Sequence, residues 1–200
     1  MKTNSISGIF KVLFFTQLVL SLCFFNKAYS QRKGGPPPKE AVHQQNPKPR
    51  QAAHYHYRHL PRRGAEVEKM DAATVSIAFK GMKLHYHTGI FYKPKGAASF
   101  VVVRPPMGIR IKVLPPEHRK IVIGPAVYFY YYGTFYKKTP NSDEYEVIDA
   151  PVGAEVDALP DGYETKTIDS EEYYELDDVY YKPKENEEGE MIYEVVEIKE

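Results

Sequence analysis

The sequence predicts an all-β protein built as three tandem repeats of about 45 residues, each with about four short antiparallel strands, behind a signal peptide and a disordered basic linker. Three observations lead there. Gly64-Ala65-Glu66-Val67 recurs as Gly153-Ala154-Glu155-Val156, with Gly108-Ile109-Arg110-Ile111 between them at intervals of 44 and 45 residues. Dipeptides suited to tight hairpin turns recur in register at Thr88-Gly89, Tyr132-Gly133 and Asp177-Asp178. No window sustains a helical apolar period with caps.

The first element is Met1 to Ser30. Lys2 and Lys11 precede an apolar run from Val12 to Phe25, which ends in Asn26-Lys27-Ala28-Tyr29-Ser30. This is the pattern of a secretory signal peptide with small residues before the cut. The run is shorter than the roughly 20 residues of a membrane-spanning helix, so no transmembrane helix is expected in the mature chain. Cys23, the only cysteine, follows the bulky Leu22, which argues against lipidation. A mature chain from Gln31 holds no cysteine, hence no disulfide, thiol nucleophile or thiolate metal ligand. The expected address is the periplasm or the outer surface.

From Gln31 to Arg63 the chain is rich in Pro, Gln, Lys and Arg and poor in aliphatic residues, the composition of an extended spacer. Three repeats follow at 64–107, 108–152 and 153–200. Within each, the glycine is followed at fixed offsets by Met70, Leu114 or Leu159, then by Phe79, Ile123 or Ile168, then by Phe91, Phe135 or Tyr180. A first strand carries the GxxV or GxxI segment, a second precedes a turn at Lys80-Gly81, Gly124-Pro125 or Asp169-Ser170, and a third ends at the hairpin dipeptide. The chain returns through Ile90-Phe91-Tyr92 or its counterparts to a last strand. The stretch from Tyr128 to Tyr136 holds seven aromatic rings in nine positions, alternating over both faces of a hairpin. Packing across repeats and stacking on a ligand would both use such rings.

The run VVVRPPMGIRIKVLPPEHRKIVIGPAVYFYYYGTFYKK, with YEVIDAPVGAEVDALPDGYE and VYYKP after it, resembles a family of secreted proteins from Gram-negative bacteria. In that family a signal peptide and a polar linker precede tyrosine-rich repeats of the form GxxVxxLPxGY and YYxxGxYY. The likeness covers Met82 to Lys184 and implies an address and an architecture, with no assigned activity. The chain departs from the pattern at Pro116-Glu117-His118, where Gly-Tyr is expected, and at Asp177-Asp178, which replaces the hairpin glycine.

Chemistry in the sequence is sparse. His54-Tyr55-His56 and His85-Tyr86-His87 are HxH pairs that point two imidazoles to one side of a strand, and His59 adds a further ligand, so His54, His56, His59, His85 and His87 form the candidate set for a divalent transition metal. No other cofactor is expected. Ser76, Ser99, Ser142 and Ser170 lie in no nucleophile elbow, and no glycine-rich phosphate loop opens a helix. The reading is a non-catalytic scaffold or binding module; a metal-binding protein and a cell-wall glycan hydrolase are the alternatives. Residues 31–140 hold 20 Lys or Arg against 5 Asp or Glu, whereas residues 141–200 hold 4 against 21. The basic part suits an anionic envelope polymer and the acidic part a basic partner protein or loosely held divalent cations. Nucleic acid is not expected, because secretion removes it and the acidic repeat repels phosphate. The same asymmetry predicts salt-sensitive self-association, with Arg50, Arg58, Arg62 and Arg63 reaching toward Glu171, Asp177 and Glu187, and it predicts that loss of residues 31–63 leaves the β body folded.

Overall fold

Each repeat forms its own five-stranded antiparallel sheet in the computed structural model, which describes residue 53 and residues 55–198. The expected signal peptide and most of the expected linker, His54 included, lie outside the described residues. The first sheet holds β1 (Glu66–Val67), β2 (Val75–Phe79), β3 (Met82–His87), β4 (Ile90–Lys95) and β5 (Ser99–Val103), in the order β1-β5-β4-β3-β2. The second repeats that order with β6 (Arg110–Ile111), β7 (Arg119–Ile123), β8 (Ala126–Tyr131), β9 (Thr134–Lys138) and β10 (Tyr145–Ile148). The third does so with β11 (Glu155–Val156), β12 (Glu164–Ile168), β13 (Glu171–Leu176), β14 (Val179–Glu185) and β15 (Met191–Val196). Among the described residues no helix is long and apolar enough to cross a membrane.

The strand number is five per repeat where about four were expected. The extra strand is the return after each hairpin dipeptide, β4, β9 or β14, which pairs with the last strand. The expected first strand is the two-residue segment after each repeat-opening glycine, which closes the far edge of its sheet on that last strand. The amides of Gly64, Gly108 and Gly153 donate to the carbonyls of Val102, Val147 and Val195 at 2.9, 2.9 and 2.8 Å. Those same valines donate back to the carbonyls of Ala65, Ile109 and Ala154. The repeat seen in the sequence is therefore a repeat of hydrogen bonds.

The hairpin dipeptides behave alike despite their chemistry. Thr88-Gly89, Tyr132-Gly133 and Asp177-Asp178 all have positive φ at both residues, the geometry that matches the twist of the flanking strands. The replacement of glycine by Asp178 leaves the turn intact, since aspartate tolerates the left-handed region better than most side chains. Proline is also tolerated within strands: Pro94 and Pro183 pair with β5 and β15 but lie beyond the stretches that pair with β3 and β13, so neither removes a hydrogen bond from a two-sided ladder.

The rings of the aromatic run are core. Tyr130, Tyr132 and Tyr136 are fully buried, Tyr131 and Phe135 nearly so, and the Tyr130 hydroxyl donates to the Ala158 carbonyl of the next repeat at 2.8 Å. Burial pushes the phenols of Tyr57, Tyr130, Tyr132, Tyr136 and Tyr181 up from their ordinary value. A phenol raised in the folded state keeps a proton that the unfolded chain gives up near pH 10, so its contribution is intact below that pH and is lost as pH rises above it. In a spectrophotometric alkaline titration these five tyrosines are expected to ionise only together with unfolding. Gradual ionisation of all tyrosines with the sheet signal retained would contradict their burial.

The segment before Gly64 corrects the expectation of a disordered linker reaching Arg63. Ala53, the short 3₁₀ turn Tyr55–Tyr57 and the chain to Arg63 form a strap packed on the second and third repeats. Leu159 donates to the Ala53 carbonyl at 2.8 Å, and Tyr57 sets its ring edge-on to Tyr131 and Tyr132 at centroid distances of 5.7 and 5.5 Å. The Tyr132 amide donates to the Tyr57 hydroxyl at 3.2 Å, and the Tyr132 hydroxyl donates to the Pro61 carbonyl. Composition misled because the strap holds few aliphatic residues and buries an aromatic ring and a guanidinium instead. A chain starting at Gly64 would lose part of the core, contrary to the expectation that the body folds without residues 31–63.

Candidate functional site

The two joints between consecutive repeats share one construction. The tip of the first hairpin, at Gly89, packs so tightly on Tyr131 and Pro115 of the second repeat that any Cβ there would collide with both. The tip of the second hairpin, at Gly133, packs on Leu176 and Pro160 of the third, at equivalent positions. Bare backbone at the tip is what permits the approach.

Arg63 lies where these parts meet and has only 7 % of its surface exposed. Its Nη1 donates to the Val103 carbonyl of the first repeat at 2.6 Å and its Nη2 to the Tyr132 carbonyl of the second at 2.7 Å. Its Nε is 3.0 Å from the Asp177 carboxylate of the third, an ion pair without hydrogen-bond alignment. The guanidinium carbon stands 4.9 Å from the centre of the Tyr132 ring, and the Arg63 amide donates to the Asp161 carbonyl. Burial raises the Asp177 carboxyl above the usual carboxylate range, while Arg63 and Arg104 pull it back down. Arg104 adds a second tie, donating to the Asp177 carbonyl and to the Asp149 carboxylate, each at 3.0 Å. Both arginines thus bridge repeats.

The strap also makes a cleft of roughly 330 Å³ lined by His56, Tyr57, His59, Glu117 and Arg119. Asp157 is the shared acceptor beside it, with Oδ2 at 2.7 Å from Arg119 Nε and 2.9 Å from His56 Nδ1, while its Oδ1 is buried without a hydrogen-bond partner. Glu117 holds φ at +64°, where the third repeat has Gly162. The departure noted at Pro116-Glu117-His118 thus keeps the turn by forcing a side chain into the left-handed region, a strain of about 1–3 kcal/mol.

The candidate histidines fall into two places. His56 and His59 share the strap cleft. His85, on β3 of the first sheet, has Nδ1 3.2 Å from the Ser76 hydroxyl and sets its ring edge-on to Phe100. His87 ends the same strand opposite Ile90, and His54 lies outside the described residues. Among the described residues no group of three His, Cys, Asp or Glu side chains is arranged to hold a metal ion. Of the charges expected to reach across chains, Arg63 is buried, Arg62 Nε is 3.8 Å from Asp161 within the chain, and Glu171 accepts from Lys182 at 2.6 Å. The sequence set Arg63 among the charges expected to reach toward the acidic repeat, and its buried role between repeats was missed. Its register was the available signal: Arg63 stands one before the repeat-opening glycine, where the other repeats have Met107 and Val152, 51 % and 62 % exposed.

Neither a curated protein nor a solved structure matches the chain. The model of a family of unknown function, DUF6515, matches residues 47–199. Because that match takes in the strap and all three sheets, the chain belongs to the DUF6515 family.

Proposed function

We propose that this protein is a non-catalytic module of the cell envelope, in the periplasm or on the outer surface, acting as a scaffold or binding module. The observation that supports this reading is where its unusual side chains lie. The tyrosines of the aromatic run and the two bridging arginines join repeats to one another, and the most acidic repeat carries its carboxylates on exposed or half-exposed faces, many in pairs with lysine. Such groups hold a rigid shape and present charge, and the carboxyl that burial sets apart, Asp177, is paired with Arg63 inside an inter-repeat joint. An anionic envelope polymer for the basic part, or a basic partner for the third repeat, fits the charge division.

The test uses the mature chain with purified lipopolysaccharide and with isolated peptidoglycan as separate probes. Retention on either, weakened by salt and without release of glycan fragments, is expected. Release of soluble fragments would replace this reading with the hydrolase. The second reading, a metal-binding protein, draws on the two imidazoles in the strap cleft. Calorimetric titration with nickel, copper and zinc separates it: binding at micromolar affinity or tighter that is lost on substituting His85 and His87, or His56 and His59, would favour the metal.

A further inference from the structure

We propose that the exposed counterpart of the two inter-repeat joints, on the first repeat, receives the hairpin tip of the third repeat from a second copy of this chain. At each filled joint the tip residue, Gly89 or Gly133, rests on a seat made by a proline and a side chain two positions before the next tip: Pro115 with Tyr131, and Pro160 with Leu176. Both prolines are buried, as are Leu114 and Leu159 before them. On the first repeat the equivalent positions are Met70, Asp71 and His87. There Asp71, Ala72 and Ala73 are exposed and His87 is half-buried, so this seat has no tip upon it.

The other end of the series is the complement. Asp178 stands where Gly89 and Gly133 stand in the other hairpins and is exposed. Its turn is held from behind, with the Asp177 carbonyl bonded to Arg104 at 3.0 Å and the Asp177 carboxylate against Arg63. Each chain therefore carries one unfilled seat and one rigid, uncovered tip, which differ from the filled joints in having Asp178 for the tip glycine and Asp71 and His87 for the proline and the side chain of the seat.

The occupant follows from continuity with those joints and from charge. Placed as its counterparts are, Asp178 of one copy would meet His87 and Asp71 of another, with Lys69 beside the seat. The attraction of the basic repeat as a whole therefore has to exceed the repulsion between the two carboxylates. The repeats that carry them are complementary: residues 64–107 hold 6 Lys or Arg and 3 Asp or Glu, and residues 153–200 hold 4 and 17. Such a contact is head to tail, using different surfaces on the two copies, and it propagates unless it closes into a ring. It does not rest on the ligand reading above.

Sedimentation velocity on the mature chain, from micromolar to several hundred micromolar, decides the matter. Mass is expected to rise with concentration at low salt and to fall back as ionic strength shortens the screening length to about 8 Å near physiological salt. Asp178→Lys and His87→Glu should each lower the association constant about tenfold or more, because the first sets a cation beside Lys69 and the second sets a carboxylate against Asp178. The double variant, with the charges exchanged, should recover most of the association. Melting curves check that each variant is folded, and Asp178→Asn, which suits the left-handed turn, provides a milder form of the same test with a smaller loss. A concentration-independent monomer would overturn the proposal and leave both ends as polar caps of the array. So would association that neither single substitution weakens, or that the charge exchange fails to restore in folded protein.

Discussion

Arg63→Ala is expected to destabilise the fold by about 3–5 kcal/mol, because it removes one partner of a buried ion pair and the donors to two carbonyls in the joint. The carbonyls are those of Val103 and Tyr132, and the stranded carboxylate is that of Asp177, which keeps only Arg104 nearby. Chemical denaturation should show a lower midpoint at an unchanged slope, with the melting temperature falling by about 10 °C for a chain of this size. Arg63→Met, which borrows the residue of the equivalent position in the second repeat, separates packing from charge: it keeps an apolar stem and loses all the donors. A loss below about 1 kcal/mol in both variants would mean that the guanidinium is a passenger in the joint.

The same substitutions carry a pH signature. Burial raises the Asp177 carboxyl, so the folded state holds its proton more tightly than the unfolded chain does. Stability from this group is therefore present below the ordinary carboxylate range and declines as pH rises through the raised value. Removing the Arg63 charge takes away one of the two groups that oppose the rise, and the decline should extend to higher pH in Arg63→Met than in the parent protein.

Gly133→Val is expected to cost about 3 kcal/mol or more, from two sources that a control can separate. Gly133 has φ of +74°, which a β-branched residue adopts only with strain of about 1–3 kcal/mol. A Cβ there would also stand 2.9 Å from Arg63 Nη2, 3.0 Å from Leu176 and 3.2 Å from Pro160, and overpacking a fitted joint adds about 1–3 kcal/mol. Gly81→Val supplies the control, since Gly81 has φ of +78° with nothing within 4 Å of the added carbon. It should show the strain alone. Equal losses in the two variants would place the tip of the second hairpin in open space and contradict the joint.

The strand scheme was legible because its signals are local. A two-residue turn that needs positive φ restricts its own residues, and a strand with one buried face alternates over a few positions, so Lys80-Gly81, Tyr132-Gly133 and Asp177-Asp178 mark turns wherever the sheets later pack. The repeat period of 44 and 45 residues likewise carried three copies of one strand pattern, whereas the closure of each copy into its own sheet is a finding of the structure. The presence of the aromatic run on both faces of one hairpin was legible too, whereas its burial between repeats and the part each hydroxyl plays came from the structure.

What only the tertiary structure decided is how the repeats join and what the strap does. Arg63 looks like one more charge in a basic spacer, because no local pattern tells a guanidinium that three carbonyl and carboxylate groups will surround it from 40, 69 and over 100 residues away. His56 and His85 look like halves of two matching metal pairs, yet one faces Asp157 of the third repeat and the other Ser76 of its own sheet. A sequence records which side chains are available and which backbone turns they allow. Their partners across a joint are chosen by the three-dimensional register of whole sheets, and that register is set by the sum of many contacts that no short stretch contains.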